Sequence, residues 1–209
     1  VRLLDSAVAD AHAGGIRGRL CIGVPEEVGQ EVLTALVSGI SRAHPRVDLT
    51  VRCGISSGFP EAVARGELDA AICDVEEPAP GLPVLRTVAR FWVAASGHDV
   101  MGRDPLPVAL FDRACAWRDL AVEALEAAGR PYRVVYTSES VAGILASVRS
   151  GLAVALMGEI GMAKGIERVG GLPAVPRSHL VLMRREGLDA ETGAAVEAAS
   201  RAAFRPTAA

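Results

Sequence analysis

Arg19 to Asp74 reads RLCIGVPEEVGQEVLTALVSGISRAHPRVDLTVRCGISSGFPEAVARGELDAAICD. Leu20 to Val24 is nearly all apolar and of strand length, the pattern of a strand covered on both faces. Pro25 and Glu26 turn the chain, and both a proline at a first helical position and an acid in the first turn favour a helix start. The spacing predicts a helix from Glu27 to Ala43, with Val28, Val32, Leu36 and Ile40 at steps of four, ended by His44-Pro45. Val47 to Cys53 alternates apolar with polar residues, giving a second strand. Gly54 to Ser57 is a loop in which Ser56 or Ser57 is the expected N-cap of a short helix. That helix runs to Arg65, stops at Gly66, and is followed by a third strand, Leu68 to Cys73. The unit is a βαβαβ half-sheet, and its turns fall where parallel strands open onto a ligand crevice.

Working outward, Glu76 to Pro83 is a proline-rich surface loop. Val84 to Ala95 is long and extended, with an abrupt change of strand partners expected within it. A polar loop, Ser96 to Pro105, leads to a strand at Leu106 to Phe111. A helix from Trp117 to Ala128 is closed by Gly129, and Arg133 to Tyr136 is the next strand. Thr137-Ser138-Glu139 is the expected capping turn for a helix from Ser140 to Arg149, and Leu152 to Met157 is an almost purely apolar strand. This second unit repeats the strand–helix–strand–helix–strand order. A last strand at Leu180 to Arg184 and a last helix at Glu191 to Phe204 are left over, with a loose tail expected from Arg205 to Ala209. Two α/β units and a returning C-terminal piece predict a two-lobed clamp with two crossovers and a cleft.

The 209 residues are half apolar, enough for a substantial core, and carry a formal net charge of −3. No basic block is present and aromatic residues are few, so neither the electrostatic footprint nor the stacking platform of a nucleic-acid binder is visible. Cys21, Cys53, Cys73 and Cys115 form no metal-ligand spacing. The first three fall in predicted strands and read as reduced core thiols, which points to the cytoplasm. His12, His44, His98 and His179 are scattered, without metal spacing. No signal peptide or transmembrane run stands out. Val1 to His12 reads as the one-sided tail of a longer helix, so a fragment is expected.

GRLCIGV (Gly18 to Val24), HPRVDLTV (His44 to Val51) and GELDAAI (Gly66 to Ile72) occur in an order and spacing that resemble the effector-binding domain of LysR-type transcriptional regulators. The second half, from Cys115 to Met157, is similar to one branch of that family, in which Cys-x-x-Arg precedes one helix and a serine-rich turn the next. The likeness spans roughly Arg17 to Phe204. It implies an α/β, two-lobed, type 2 periplasmic-binding-protein-like fold, each lobe a mostly parallel sheet flanked by helices. On that basis residues 1–16 are the end of a linker helix, 17–92 with 162–209 form lobe I, and 93–161 form lobe II. The resemblance also implies a homodimer, with the long first helix (small residues Ala35, Gly39 and Ala43 at steps of four) against the partner's second lobe. DNA contact would belong to an N-terminal winged helix-turn-helix outside this chain.

Several residues are candidates for the cleft. Ser56 and Ser57, at a helix N-terminus, serve as simple caps or also bind a carboxylate or phosphate. Thr137, Ser138, Glu139 and Ser140 form the corresponding turn of the second lobe, either as a capping turn only or, with two helix N-termini converging on one cleft, as a place that favours a small anion. Pro25 and Glu26 lie in the first strand-to-helix loop, where Glu26 either pairs with a cationic ligand group or only complements the helix dipole. An acid there argues against a doubly anionic ligand. Cys115 and Arg118 precede a helix. Arg118 suits bidentate carboxylate binding, or is a surface ion-pairing residue, and the helix start could lower the Cys115 thiol pKa. Phe91 and Trp92 fall in the crossover, as core or hinge lining.

The expected function is sensing of a small, carboxylate-bearing metabolite between the lobes, with no cofactor, no membrane contact and no catalysis. Two other readings are an enzyme acting on a carboxylate, with Glu26 or Glu139 as acid or base, and the solute-binding component of a transporter. No GxSxG, HExxH, P-loop or GxGxxG supports catalysis.

Overall fold

The computed structural model describes residues 16–112, 115–159 and 164–205. The expected helix at Val1 to His12, the boundary at 162 and most of the C-terminal tail lie outside the described residues.

β1 (Arg17–Pro25) runs parallel to β2 (Arg46–Gly54) in unbroken register from Arg17↔Arg46 to Pro25↔Gly54. Between them the chain forms a 3-10 turn, Glu26–Val28, and then α1 (Gly29–Ala43). The helix expected from Glu27 is thus broken at Gly29, whose φ of 77° lies in the left-handed region that favours glycine. Leu36 and Ile40 of α1 are fully buried on β1, and the His44 amide closes the helix on the Ile40 carbonyl. A second 3-10 turn, Ser56–Gly58, leads into the six-residue α2 (Phe59–Ala64). β3 (Ala70–Val75) pairs with β1 in parallel at Ile22 and Gly23. A Cβ on Gly23 would lie 2.8 Å from Leu68 Cδ1 and 3.1 Å from Ala71 Cβ, so a larger residue would have to displace the Leu68 side chain.

The expected change of partners occurs at Ala89. β4 (Val84–Val88) and β10 (Ser178–Arg184) complete the first sheet, ordered β2-β1-β3-β10-β4, with β10 antiparallel to both neighbours. β5 (Arg90–Ala95) belongs to the second sheet. There, β6 (Leu106–Phe111), α3 (Ala116–Ala127), β7 (Tyr132–Ser138), α4 (Val141–Arg149) and β8 (Ala155–Gly158) repeat the first unit. A parallel bridge from Val108 to Val154 joins β6-β7 to the sheet of β8, β5 and β9 (Ile166–Arg168), giving the order β7-β6-β8-β5-β9. That order mirrors the first sheet strand for strand.

β9 (Ile166–Arg168), which the sequence reading did not anticipate, pairs with β5. The chain therefore returns to the first sheet only between Arg168 and Ser178, later than the expected boundary at 162, and the first crossing at Ala89 precedes the expected 92. Both offsets arise because strand membership is decided by partners, not by local pattern.

α5 (Ala190–Ala203), capped by Asp189 accepting from the Thr192 amide, packs on α1. Gly39 faces Ala199 of α5, so the small-residue row on α1 is partly covered within the chain itself. Separate apolar clusters fill each lobe, one around Ile22, Leu36 and Leu180, another around Leu106, Leu125 and Leu156. No helix among the described residues is long and apolar enough to cross a membrane.

Candidate effector cleft

Four chain segments meet where the two sheets exchange strands. β3 carries Asp74 one residue before its end, β10 begins at Ser178, β5 begins at Arg90, and α3 presents Trp117. Arg90 Nη2 donates to Asp74 Oδ1 at 3.0 Å, with side chains 2 % and 5 % exposed. Trp117 Nε1 and Ser178 Oγ each donate to Asp74 Oδ2 at 3.1 Å. Asp74's own amide donates to Ser56 Oγ at 3.3 Å. One carboxylate thus gathers donors from both lobes and both crossovers. The Arg90 guanidinium lies 5.4 Å from the Trp117 ring centre, and Trp117 meets Phe111 edge-to-face at 6.0 Å. Arg90 Nε and Nη1 are buried and have no hydrogen-bond partner among the described residues.

Beside this node lies a cavity of about 130 Å³ between the lobes, bordered from the first lobe by Glu26, Glu27, Ile55, Ser56, Ser57, Asp74 and Glu76. Phe111, Cys115, Ala116, Trp117, Glu139 and Val141 close it from the second lobe, and Arg90 borders it at the crossover. Burial pushes the Glu27 carboxyl up from 4.5 to about 7, with Asp74 and Glu26 adding to the rise and Arg90 opposing it. Glu26 Oε2 reaches across the cleft and accepts from the Val141 amide at 2.8 Å, at the N-terminus of α4.

Of the residues singled out in the sequence, Glu26, Ser56, Ser57, Cys115 and Glu139 border this cavity. Pro25 is buried at the end of β1 and is not part of the lining. Ser56 and Ser57 are not helix caps: the cap positions are Ile55 and Gly58, and α2 is a short helix entered through a 3-10 turn. In the second lobe the cap is Ser140, the last residue of the expected turn, whose Oγ accepts from the Gly143 amide. Ser138 Oγ accepts from the Ser140 amide, and Thr137 is exposed at the end of β7. Neither Thr137 nor Ser138 borders the cavity.

Arg118 is not the cleft's guanidinium. It donates to the Phe111 carbonyl at 3.0 Å and lies outside the lining. Cys115 occupies the cap position of α3, yet burial raises its thiol pKa, contrary to a helix-activated thiolate. Cys53 is exposed, so it is not a core thiol, while Cys73 is buried and pushed up to about 12. Trp92 is core, donating to the Pro173 carbonyl, and Phe91 stacks under Arg168. Among the described residues no cluster of His, Cys, Asp or Glu is arranged to hold a metal.

The sequence reading missed Arg90, Asp74, Glu27 and Trp117. One signal was available: Arg90 opens the apolar run RFWVAA at the expected crossover, where a lone cation needs a buried partner.

Residues 13–203 match the family described as the LysR substrate binding domain. The chain belongs to that family. It is a ligand-sensing regulatory domain of the LysR type. Over 176 residues it is 31 % identical to the HTH-type transcriptional regulator DgdR of Burkholderia cepacia, covering 84 % of this chain and 60 % of that protein. It is 23 % identical over 204 residues to PecT of Dickeya dadantii, covering 96 % of this chain and 65 % of the relative. The LysR-type chain thus spans about three fifths to two thirds of these relatives' length. Among solved structures, the C-terminal domain of a probable LysR family regulator from Rhodococcus sp. RHA1 superposes with a TM-score of 0.69 at 18 % identity, covering 88 % of this chain and all of that one. The reduced regulatory domain of OxyR2 from Vibrio vulnificus gives 0.69 at 15 %, covering 91 % and 96 %. These likenesses show the two-lobed fold.

Proposed function

We propose that this LysR-type domain binds a small, carboxylate-bearing effector in the cleft between its lobes, and that binding changes the angle between them. The observation that carries this reading is the pair of unpartnered Arg90 donors beside a cavity bordered by both lobes. A buried cation with unmet donors offers hydrogen bonds that a carboxylate accepts. On this reading the first lobe comprises the β2-β1-β3-β10-β4 sheet with α1, α2 and α5, and the second lobe comprises the rest. The crossings at Ala89 and between Arg168 and Ser178 are the hinges.

The effector signal passes to DNA through a helix-turn-helix part outside these 209 residues, as the names of its relatives suggest. The protein acts in the cytoplasm, as a homodimer, and turns over no substrate. Glu26 is tied to the Val141 amide, and among the described residues no hydrogen bond joins Glu139 to a nucleophile. Ala35 and Ala43 remain exposed on α1 for a partner chain, whereas Gly39 is turned to α5. Sedimentation velocity checks the dimer.

A thermal-shift screen of small carboxylates tests the cleft. The expected result is a stabilising ligand whose effect disappears in Ala116→Trp, a substitution chosen to fill the cavity while keeping Arg90 and Asp74 unmutated. A ligand that stabilises Ala116→Trp equally binds elsewhere and removes the cleft as the effector site.

A further inference from the structure

The charges around the cleft are unbalanced. Among the described residues, Glu26, Glu27, Asp74, Glu76 and Glu139 border it against one guanidinium, that of Arg90. Asp74 is satisfied by Arg90, Trp117 and Ser178, and Glu26 by the Val141 amide. Glu27, Glu76 and Glu139 form no ion pair among the described residues. A site serving only an anion would be expected to keep such carboxylates at a distance, because like charges brought together in a partly dry cavity repel. Arg90, by contrast, is almost wholly buried with two donors unmet, which marks a place for an acceptor. The cleft therefore asks for one negative and one positive group.

We propose that the ligand is a small zwitterion, an α-amino acid or close analogue, whose carboxylate is drawn to the buried Arg90 guanidinium with its two unmet donors and whose ammonium is held by the carboxylates that border the cavity, Glu27 foremost. This rests on the reading of the cleft as the effector site and narrows the ligand class. Size supports it: about 130 Å³ is comparable to the roughly 150 Å³ cavity that accepts a benzene-sized molecule, so the two charges must lie only a few bonds apart. Ile55, Phe111 and Trp117 supply an apolar wall, suited to a short apolar side chain. The Glu27 carboxyl, desolvated and lifted to about 7, gains most from an arriving ammonium, which would restore its charged form. Dicarboxylates and phosphate esters fit poorly, since their further charge would fall among Glu27, Glu76 and Glu139.

Calorimetry on the intact chain tests this with the twenty amino acids, followed by half-ligands. The probes are alanine with propionate and ethylamine, and valine with isovalerate and isobutylamine. The expected result is that at least one amino acid binds, and that its amine-free and carboxylate-free counterparts bind at least about tenfold more weakly. Glu27→Gln should bring the amino acid down to the affinity of its amine-free counterpart while leaving that counterpart unchanged or tighter. A residue serving structure alone would weaken both equally. An amine-free acid that binds as tightly as its amino acid overturns the zwitterion and leaves the carboxylate-sensing cleft standing. An amine that binds as tightly overturns the assignment of Arg90. Silence from all twenty amino acids overturns the zwitterion, whatever the carboxylate screen returns, and amino-acid binding undiminished in Ala116→Trp overturns both readings.

Discussion

Glu26 of the first lobe accepts a hydrogen bond from the Val141 amide of the second, 2.8 Å away, at the N-terminus of α4. A carboxylate of the chain thus occupies a position that also suits a ligand's anion, and it bridges the cleft. The contact is exposed, so its worth is modest. Glu26→Ala is expected to cost about 1 kcal/mol or less in urea unfolding, with the difference shrinking as salt is added. A cost undiminished by salt would show that the bridge is not electrostatic.

Asp74→Ala is expected to destabilise far more. It leaves Arg90 charged, buried and without its partner, and orphans the donors of Trp117 and Ser178. Breaking such a pair costs about 3–5 kcal/mol. Combining Asp74→Leu with Arg90→Met should recover much of that loss, because no lone charge then remains. Guanidinium unfolding of the variants checks the order.

Glu27 gives stability a defined pH dependence. Its carboxyl is raised from 4.5 to about 7 in the folded protein, so the folded state holds more protons than the unfolded state between those values. Stability from this group is present below about 4.5 and is lost as pH rises toward and through 7. Asp74, Glu26 and Arg90 are the charged groups that act on it, with Val88, Trp117 and Leu180 as apolar neighbours. Urea midpoints measured from pH 5 to about 8 should fall for the wild type, and this part of the slope should vanish in Glu27→Gln.

The thiols should separate by access. Cys53 is exposed, Cys115 is half-buried with a raised pKa, and Cys73 is buried near 12. A thiol reagent at mildly alkaline pH should modify Cys53 first and Cys73 only on unfolding. Partial burial and, after it, the Glu26 charge raise the Cys53 thiol pKa, so Glu26→Gln should quicken that first reaction modestly. Mass mapping of the labelled residue is the check.

Gly143→Ala should disturb the start of α4. The new Cβ would overlap Ser138 Oγ and crowd Ser140 Oγ, the two oxygens that hold the Ser140 and Gly143 amides. A loss of about 1–3 kcal/mol is expected, the usual cost of overpacking. A thermal midpoint equal to the wild type would show that the turn relaxes freely.

Local pattern alone determined much of this protein. The apolar runs at Leu20 to Val24 and Leu106 to Phe111, the steps of four through Leu36 and Ile40, and the stops at His44 and Gly129 were all legible, because propensity and side-chain periodicity act over a few residues. The two strand-rich units and the change of partners between Val84 and Ala95 followed from the same signals. Only the tertiary structure decided the cleft's chemistry. Asp74 meets Arg90 from 16 residues away, Trp117 from 43 and Ser178 from 104, across two crossovers. Arg118, locally the better candidate, turns to the Phe111 carbonyl instead. Which guanidinium lies beside a cavity, and which carboxylate loses its water, depends on how strands from distant segments pair, and no local pattern carries that pairing.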